Sequence, residues 1–401
     1  MTTLYADALT LSDRLTDLRR AIHAEPELGL HTPLTIAKVR AALAHLPLEW
    51  RVGPSTTGAV ALLRGGAGPA ENRRTVLLRG DMDALPMGEE TGLPFASTIA
   101  GTMHACGHDA HTAMLTGAVE LLAARADTLP GDVLFMFQPG EEGHHGARFM
   151  IDDGLISPTP DAAFALHVMP NAPHGQVQGR AGALMAGADQ IDIVVTGAGG
   201  HASMPHHAAD PIPVACEIVG AIQTMVTRQF NAHDPVVVTI AKITAGTAHN
   251  VIPDTAHMKG TMRSLSAASR AALRDHITRL AEGIAAAHGV SAQVSVHPGF
   301  PVTLCDGRAV DLAQGVAGDL FGADTFLRLP APIMGAEDFA YVLERSPGAM
   351  LFLGAAHEGA DAAHACGIHS PRMVVDEAVL PRGSALLAGL GQRFLEQGFA
   401  P

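Results

Sequence analysis

Three short apolar runs, each ending on acidic or imidazole side chains, limit what this chain can fold into. They are Thr75 to Leu78 in RTVLLRGDMDALP, Val133 to Phe137 in GDVLFMFQPGEEG, and Ala162 to Leu166 in DAAFALHVMP. Runs of this length without alternation read as strands buried on both faces, the kind found in parallel sheets. Between the first two, HTAMLTGAVELLAARA has the propensity and period of a helix. Strands alternating with helices predict an α/β fold, a mixed, mostly parallel sheet with helices on both faces. In such sheets, side chains just past the carboxyl ends of the strands share one crevice. Asp81 and Asp83 follow the first run, Glu141 and Glu142 the second, and His167 the third. A site is expected there.

The pattern changes near Ala188. DQIDIVVTG reads as a strand, PIPVACEIVGAIQTMVTRQF as a helix entered through two prolines, and DPVVVTIAKITAG and TAHMKGTMRS as two further strands. SRAALRDHITRLAEGIAAAHG is a helix stopped by its glycine, and SAQVSVHPG is a last strand. The order β-α-β-β-α-β is the split, ferredoxin-like arrangement. At 401 residues the chain also exceeds what one hydrophobic core usually serves, so two domains are expected. Residues 188–296 form the inserted domain, and 1–187 with 297–401 form the domain that carries the crevice.

A net charge of −14, with no cluster of Lys and Arg, argues against nucleic acid and anionic membrane as partners. No apolar run approaches membrane-spanning length. A small-molecule substrate is the expected partner. Four scattered cysteines without a CxxC pair read as reduced thiols. The opening MTTLYADALTLSDRLTDLRRAIHAEPELG is amphipathic and has no apolar leader core, so it reads as a helix of a cytoplasmic protein.

MHACGHDAH, residues 103–111, concentrates potential ligands just before a helix. Cys106 and His108 stand two apart across a glycine, and thiolate and neutral imidazole both bind zinc and its neighbours. A buried cysteine beside a surface histidine is the alternative. In the pair Glu141–Glu142 one carboxylate can bind metal while the other acts as general base, though a lone acidic pair is usually a solvated turn. Taken singly, His167 reads as a core histidine and His369, in CGIHSP, as an exposed one. Asp81 and Asp83 read as carboxylates that orient ligand groups or cap the next turn. His23, His45, His233, His276 and His288 read as surface or half-buried residues, and His104 and His111 as hydrogen-bonding groups around the loop and first helical turn. HEGADAAHACG mixes His and Cys again but lacks the HExxH spacing. Dinucleotide and P-loop glycine patterns and the GxSxG elbow are absent.

Together these segments resemble the metal-dependent amidohydrolases and exopeptidases that include hippurate hydrolases, bacterial aminoacylases and plant hydrolases of auxin–amino acid conjugates. The match runs nearly the whole length, in order. HAEPELG occupies 23–29, RGDMDALP 79–86, MHACGHDAHTAML 103–115, QPGEEG 138–143, MIDDGL 150–155 and LHVMP 166–170. GGHASMPH follows at 199–206, AGTAHNVIPD at 245–254, GTMRS at 260–264, MGAEDFAY at 334–341 and IHSP at 368–371.

The resemblance implies two divalent ions (zinc, manganese, cobalt or nickel) held by Cys106, His108, Glu142, His167 and His369. Two such ions about 3.5–4 Å apart polarise a scissile carbonyl and acidify a bound water, with Cys106 a bridging thiolate between them. Glu141 is then the general acid/base, taking the water's proton and delivering it to the leaving amine. Asp83 is an orienting carboxylate behind the ligands. The inserted domain is a dimerisation and lid domain, and His201 supplies an oxyanion donor to the partner subunit of a homodimer. Asn250 and Arg263 bind the carboxylate of the leaving group. The expected reaction is hydrolysis of the amide bond of an N-acyl amino acid. A dipeptidase or carboxypeptidase on the same ions is the near alternative, and a non-catalytic binder of acylated amino acids the distant one. Two departures stand out. His144 and His145 occupy positions where the family more often carries small residues and glycine. Asp81 stands where the wider superfamily has a metal-binding histidine, and it is left outside the ligand set.

Overall fold

The three apolar runs become central strands of an eight-stranded mixed sheet. The computed structural model describes residues 2–68 and 73–400, and Met1, where the expected N-terminal helix begins, lies outside them. The described residues form two compact units, the larger comprising Met1–Leu184, Leu304–Ala331 and Asp338–Pro401. Its sheet runs from edge to edge as Glu49–Val52, Ala59–Leu63, Asp132–Gln138, Thr75–Asp81, Ala162–Met169, Gly348–Gly354, Val177–Gly179 and Phe326–Arg328. Thr75–Asp81 pairs in parallel with both Asp132–Gln138 and Ala162–Met169, and the latter in parallel with Gly348–Gly354. Antiparallel pairs lie toward the flanks. The central strands are buried almost throughout, which is why their sequences show no alternation.

Two strands run further than the apolar runs that announced them. Thr75–Asp81 takes Arg79 and Asp81 into the sheet, where Arg79 Nη1 donates to Asp81 Oδ2 at 2.6 Å and each charge offsets the other. Ala162–Met169 includes His167 because the ladder with Gly348–Gly354 continues to Met169. The helix expected next to these strands spans His108–Ala123. The single N-terminal helix is instead two, Thr2–Leu9 and Ser12–His23. It breaks where the Thr10 and Ser12 hydroxyls donate to the carbonyls of Asp7 and Leu9, both at 2.7 Å, local bonds that compete with helix continuation. The last helix, Leu380–Gln397, packs on His108–Ala123 so closely that a Cβ at Gly383 would lie 1.9 Å from Met114 Sδ.

The smaller unit comprises Met185–Thr303 and Pro332–Glu337. Its sheet is ordered Val236–Ala245, Thr255–Ser264, Gly187–Thr196, Ser291–Pro298, antiparallel throughout. Helices Pro211–Gln229 and Ala267–Ala287 complete a β-α-β-β-α-β order. Ile191, Ile193 and Val195, alternate residues of one strand, meet Ile218 and Ile222 of the first helix and Ile277 of the second in one core. Asp189 ties strand to helix, accepting from Arg270 Nη2 at 2.6 Å and Arg274 Nη2 at 2.7 Å. The unit extends past the 188–296 span read from sequence. Ala188 N–H donates to Phe300 O at 2.9 Å, and Ala186 N–H to Ile333 O at 3.1 Å and Gly335 O at 2.9 Å, so these flanking segments travel with it. No helix among the described residues is long and apolar enough to cross a membrane.

Candidate active site

Gly107 separates Cys106 from His108 with φ +85°, and a Cβ there would lie 2.4 Å from Val168 Cγ2. Only glycine fits both the turn and the approach of the strand. The turn launches His108–Ala123 and aims the two flanking side chains into the crevice. His108 Nδ1–H donates to the Asp83 carbonyl at 2.8 Å. A carbonyl can only accept, so in the neutral ring the lone pair sits on Nε2, which is buried without a hydrogen-bond partner. His167 is set the same way: Nδ1–H donates to Val168 O at 2.7 Å, and Nε2 lies 3.4 Å from Cys106 Sγ. Backbone bonds to Nδ1 leave Nε2 of each neutral ring free of its proton and turned inward.

Asp83 also sets the acidic pair. Its Oδ1 accepts the Glu141 N–H at 2.9 Å and its Oδ2 the Glu142 N–H at 3.0 Å. His369 adopts φ +62°, a left-handed conformation uncommon outside glycine, and its N–H donates to Ala105 O at 2.7 Å. His369 Nε2 lies 3.2 Å from Glu142 Oε1, an ion-pair distance without hydrogen-bond geometry, and that oxygen is buried. Ligand atoms of Cys106, His108 and His167 lie within 4.8 Å of one another, as do those of Cys106, Glu142 and His369, and those of His108, Glu141 and Glu142. Cys106 is common to the first two sets.

Burial pushes the Cys106 thiol up and the His167 imidazole well below its ordinary value. Closeness to Cys106, and then to Glu142, pushes His369 up to about 10. Burial opposes charge on Glu142, yet His369 and His108 hold its carboxyl below the usual range. The crevice therefore gathers sulfur, imidazole and carboxylate donors in one place, with protons on His369 and His108 favoured by the acidic groups beside them. The inward Nε2 atoms of His108 and His167, the Glu142 carboxylate and a buried sulfur fit divalent metal.

Several further residues shape the crevice from behind. Asp81, held ionised by Arg79, His108 and His111 against its burial, accepts from His111 Nδ1–H at 2.6 Å. His111 Nε2 in turn accepts the Val168 N–H at 2.8 Å. His111 is thus a strut between two strand ends, with both nitrogens committed. Arg79 also donates to Gln138 Oε1 at 2.9 Å and Asp338 Oδ1 at 3.2 Å. His23, expected at or near the surface, is buried, with Nδ1 2.8 Å from Asp109 Oδ2 and Nε2 3.1 Å from Glu89 Oε1. Arg19 Nε joins the same Asp109 oxygen at 2.9 Å. His104 was expected to hydrogen-bond around the loop, but it is buried with neither ring nitrogen bonded, and burial lowers it to about 3. His145 sits at φ +58°, where glycine would rest more easily, and its Nδ1 is 2.9 Å from the Tyr341 hydroxyl.

His201, Asn250 and Arg263 belong to the smaller unit. A two-residue ladder pairs His201 with Val251, and Ala202 N–H donates to Asn250 O at 3.1 Å, so His201 and Asn250 are neighbours. His201 Nδ1 accepts the Ser203 N–H at 3.1 Å, which leaves its proton on an outward Nε2. Arg263 is half-buried on Thr255–Ser264 and makes no ion pair among the described residues.

A sequence profile of Peptidase family M20/M25/M40 matches residues 77–393. The N-acetylcysteine deacetylase of Bacillus subtilis (strain 168) is 38% identical over 384 residues, covering 96% of this chain and 97% of that protein. The IAA-amino acid hydrolase ILR1-like 2 of Arabidopsis thaliana is 36% identical over 397 residues, covering 98% of this chain and 88% of that one. Among solved structures, the Bacillus subtilis YXEP protein, a dinuclear metal binding peptidase from the M20 family, superposes with a TM-score of 0.84 at 35% identity, covering 97% of this chain and 99% of that chain.

Proposed function

The chain belongs to peptidase family M20/M25/M40 and is a metal-dependent hydrolase of amide bonds, and from that premise we propose that it cleaves N-acyl amino acids to the acid and the free amino acid. The observation that carries this reading is the convergence of Cys106, His108, Glu142, His167 and His369, with the His108 Nε2 atom buried and without a hydrogen-bond partner. These five residues would hold two divalent ions, and the mixture of sulfur, nitrogen and oxygen suits zinc, manganese, cobalt or nickel. When bound, such ions supply Lewis acidity toward the scissile carbonyl and make water a stronger acid.

The chain's own residues supply the rest. Glu141 is the general base, taking the proton of the attacking water and returning it to the leaving amine. Asp83 keeps Glu141 and Glu142 in register by gripping their adjacent N–H groups. His201, with its proton on Nε2, donates to the oxyanion from the partner subunit of a homodimer, and Arg263 with Asn250 binds the leaving group's carboxylate. Exposed Val237, Ile243 and Val251 on the smaller unit favour its role in dimerisation, and a lid role follows from Arg263 lying there. Four free cysteines favour a reducing, cytoplasmic setting.

The test is amino acid release from a panel of N-acyl amino acids and dipeptides, with and without chelator. Glu141→Gln should lower kcat about 10²–10⁴-fold while metal content by mass spectrometry stays unchanged. Full activity in the variant would remove Glu141 from the mechanism. Faster release from dipeptides than from any acyl compound would move the peptidase reading forward.

A further inference from the structure

The loop that carries the acidic pair, PGEEGHHG at 139–146, is irregular backbone rich in glycine. It leaves the strand Asp132–Gln138, enters the short helix Gly146–Asp152, and takes left-handed conformations at Gly140, Gly143 and His145. Its ends meet. Gly146 N–H donates to Gly140 O at 3.0 Å, and a Cβ on Gly146 would lie 1.7 Å from Pro139 O. Glycine-rich backbone loses much freedom when it is ordered, so the place of Glu141 depends on what grips the loop. Asp83 grips its middle, through the Glu141 and Glu142 N–H groups.

A second carboxylate grips its two ends. Asp338 is fully buried. Its Oδ1 accepts from Gln138 Nε2 at 2.7 Å, on the residue before the loop, and its Oδ2 accepts the Ala147 N–H at 2.9 Å, on the residue after it. Arg79 Nη2, 3.2 Å from Oδ1, offsets the buried charge, while Arg79 Nε holds the Gln138 amide oxygen at 2.9 Å. Three residues on, the Tyr341 hydroxyl lies 2.9 Å from His145 Nδ1 within the loop. An oxygen of Asp338 is also within 4.8 Å of one on Glu141. Neither Asp338 nor Tyr341 has a part in the proposed chemistry.

We propose that Asp338 and Tyr341 are positioning residues that clamp the acid–base loop and hold Glu141 in register with the attacking water. The inference rests on the amidohydrolase reading, since both residues act through Glu141. On full-length enzyme saturated with metal, Asp338→Asn should lower kcat about 10- to 100-fold with KM nearly unchanged. The isosteric amide keeps one acceptor for Gln138 but turns a donor toward the Ala147 N–H. In a Glu141→Gln background the same change should cost less than about twofold, because a base already lost cannot be misplaced. Tyr341→Phe, which keeps the ring, should show the same pattern at about 2- to 5-fold, and it decides the matter where Asp338→Asn does not fold. Equal losses with and without Glu141, or no loss from either variant, would overturn the proposal. Amide exchange across 139–147 needs no turnover. It should quicken about tenfold in Asp338→Asn, or measurably in Tyr341→Phe, while Asp132–Gln138 keeps its rate. Unchanged exchange would equally remove the clamp. No release from any N-acyl compound by the wild type would sink the parent reading and leave exchange to decide this one.

Discussion

His104 is buried between the candidate metal cluster and the Asp109 network, with neither nitrogen hydrogen-bonded and its affinity for a proton lowered to about 3. A lowered imidazole value means the unfolded chain takes up the proton more readily than the folded one. Stability is therefore full above the ordinary value of 6.5 and is lost as pH falls from there toward about 3. Each pH unit in that window removes up to about 1.4 kcal/mol. His104→Leu should flatten the pH dependence, so that urea titrations at pH 7 and pH 5 differ by about 2 kcal/mol less in the variant than in wild type. Equal slopes would show that His104 is solvated. Single residues of this kind were the least legible from sequence. His23 read as a surface group because its partner Asp109 is 86 positions away, and no local period reports such a pairing. Cys106 and His108 stood out because their short spacing is itself geometric.

Among elements, the meeting of Leu380–Gln397 with His108–Ala123 sets how firmly the metal-side helix is seated. Gly383→Ala places a methyl against Met114, and overpacking of that kind costs about 1–3 kcal/mol. Calorimetry should show a lower Tm, partly restored when Met114→Ala is added, and an unchanged Tm would mean the helices shift apart freely. The central strands were legible because burial on both faces leaves unbroken apolar runs. Their ends were not, since Arg79 and Asp81 join the strand through the ladder with Asp132–Gln138, and the Arg79 charge is met by Gln138 and Asp338 far along the chain. The smaller unit could be read element by element, its central strands Gly187–Thr196 and Thr255–Ser264 each burying one face and alternating accordingly.

For the whole molecule, the proposed composite site in a homodimer makes a sharp prediction. Glu141→Gln and His201→Ala homodimers should each be impaired, the latter about 10²–10³-fold. Mixed and exchanged in equal amounts, half the dimers carry one intact site, so about a quarter of wild-type activity returns. No recovery would mean that His201 serves its own subunit or none. The strut at His111 has a consequence on this scale too. Val168 donates its amide to an imidazole where a strand would offer a carbonyl, so that one proton is protected from deuterium only while helix and strand stay docked. Its exchange rate, set beside that of Leu77 inside the sheet, separates breathing of the catalytic crevice from opening of the whole domain. One amide thus serves as a native gauge of whether a ligand tightens the centre or merely stabilises the fold.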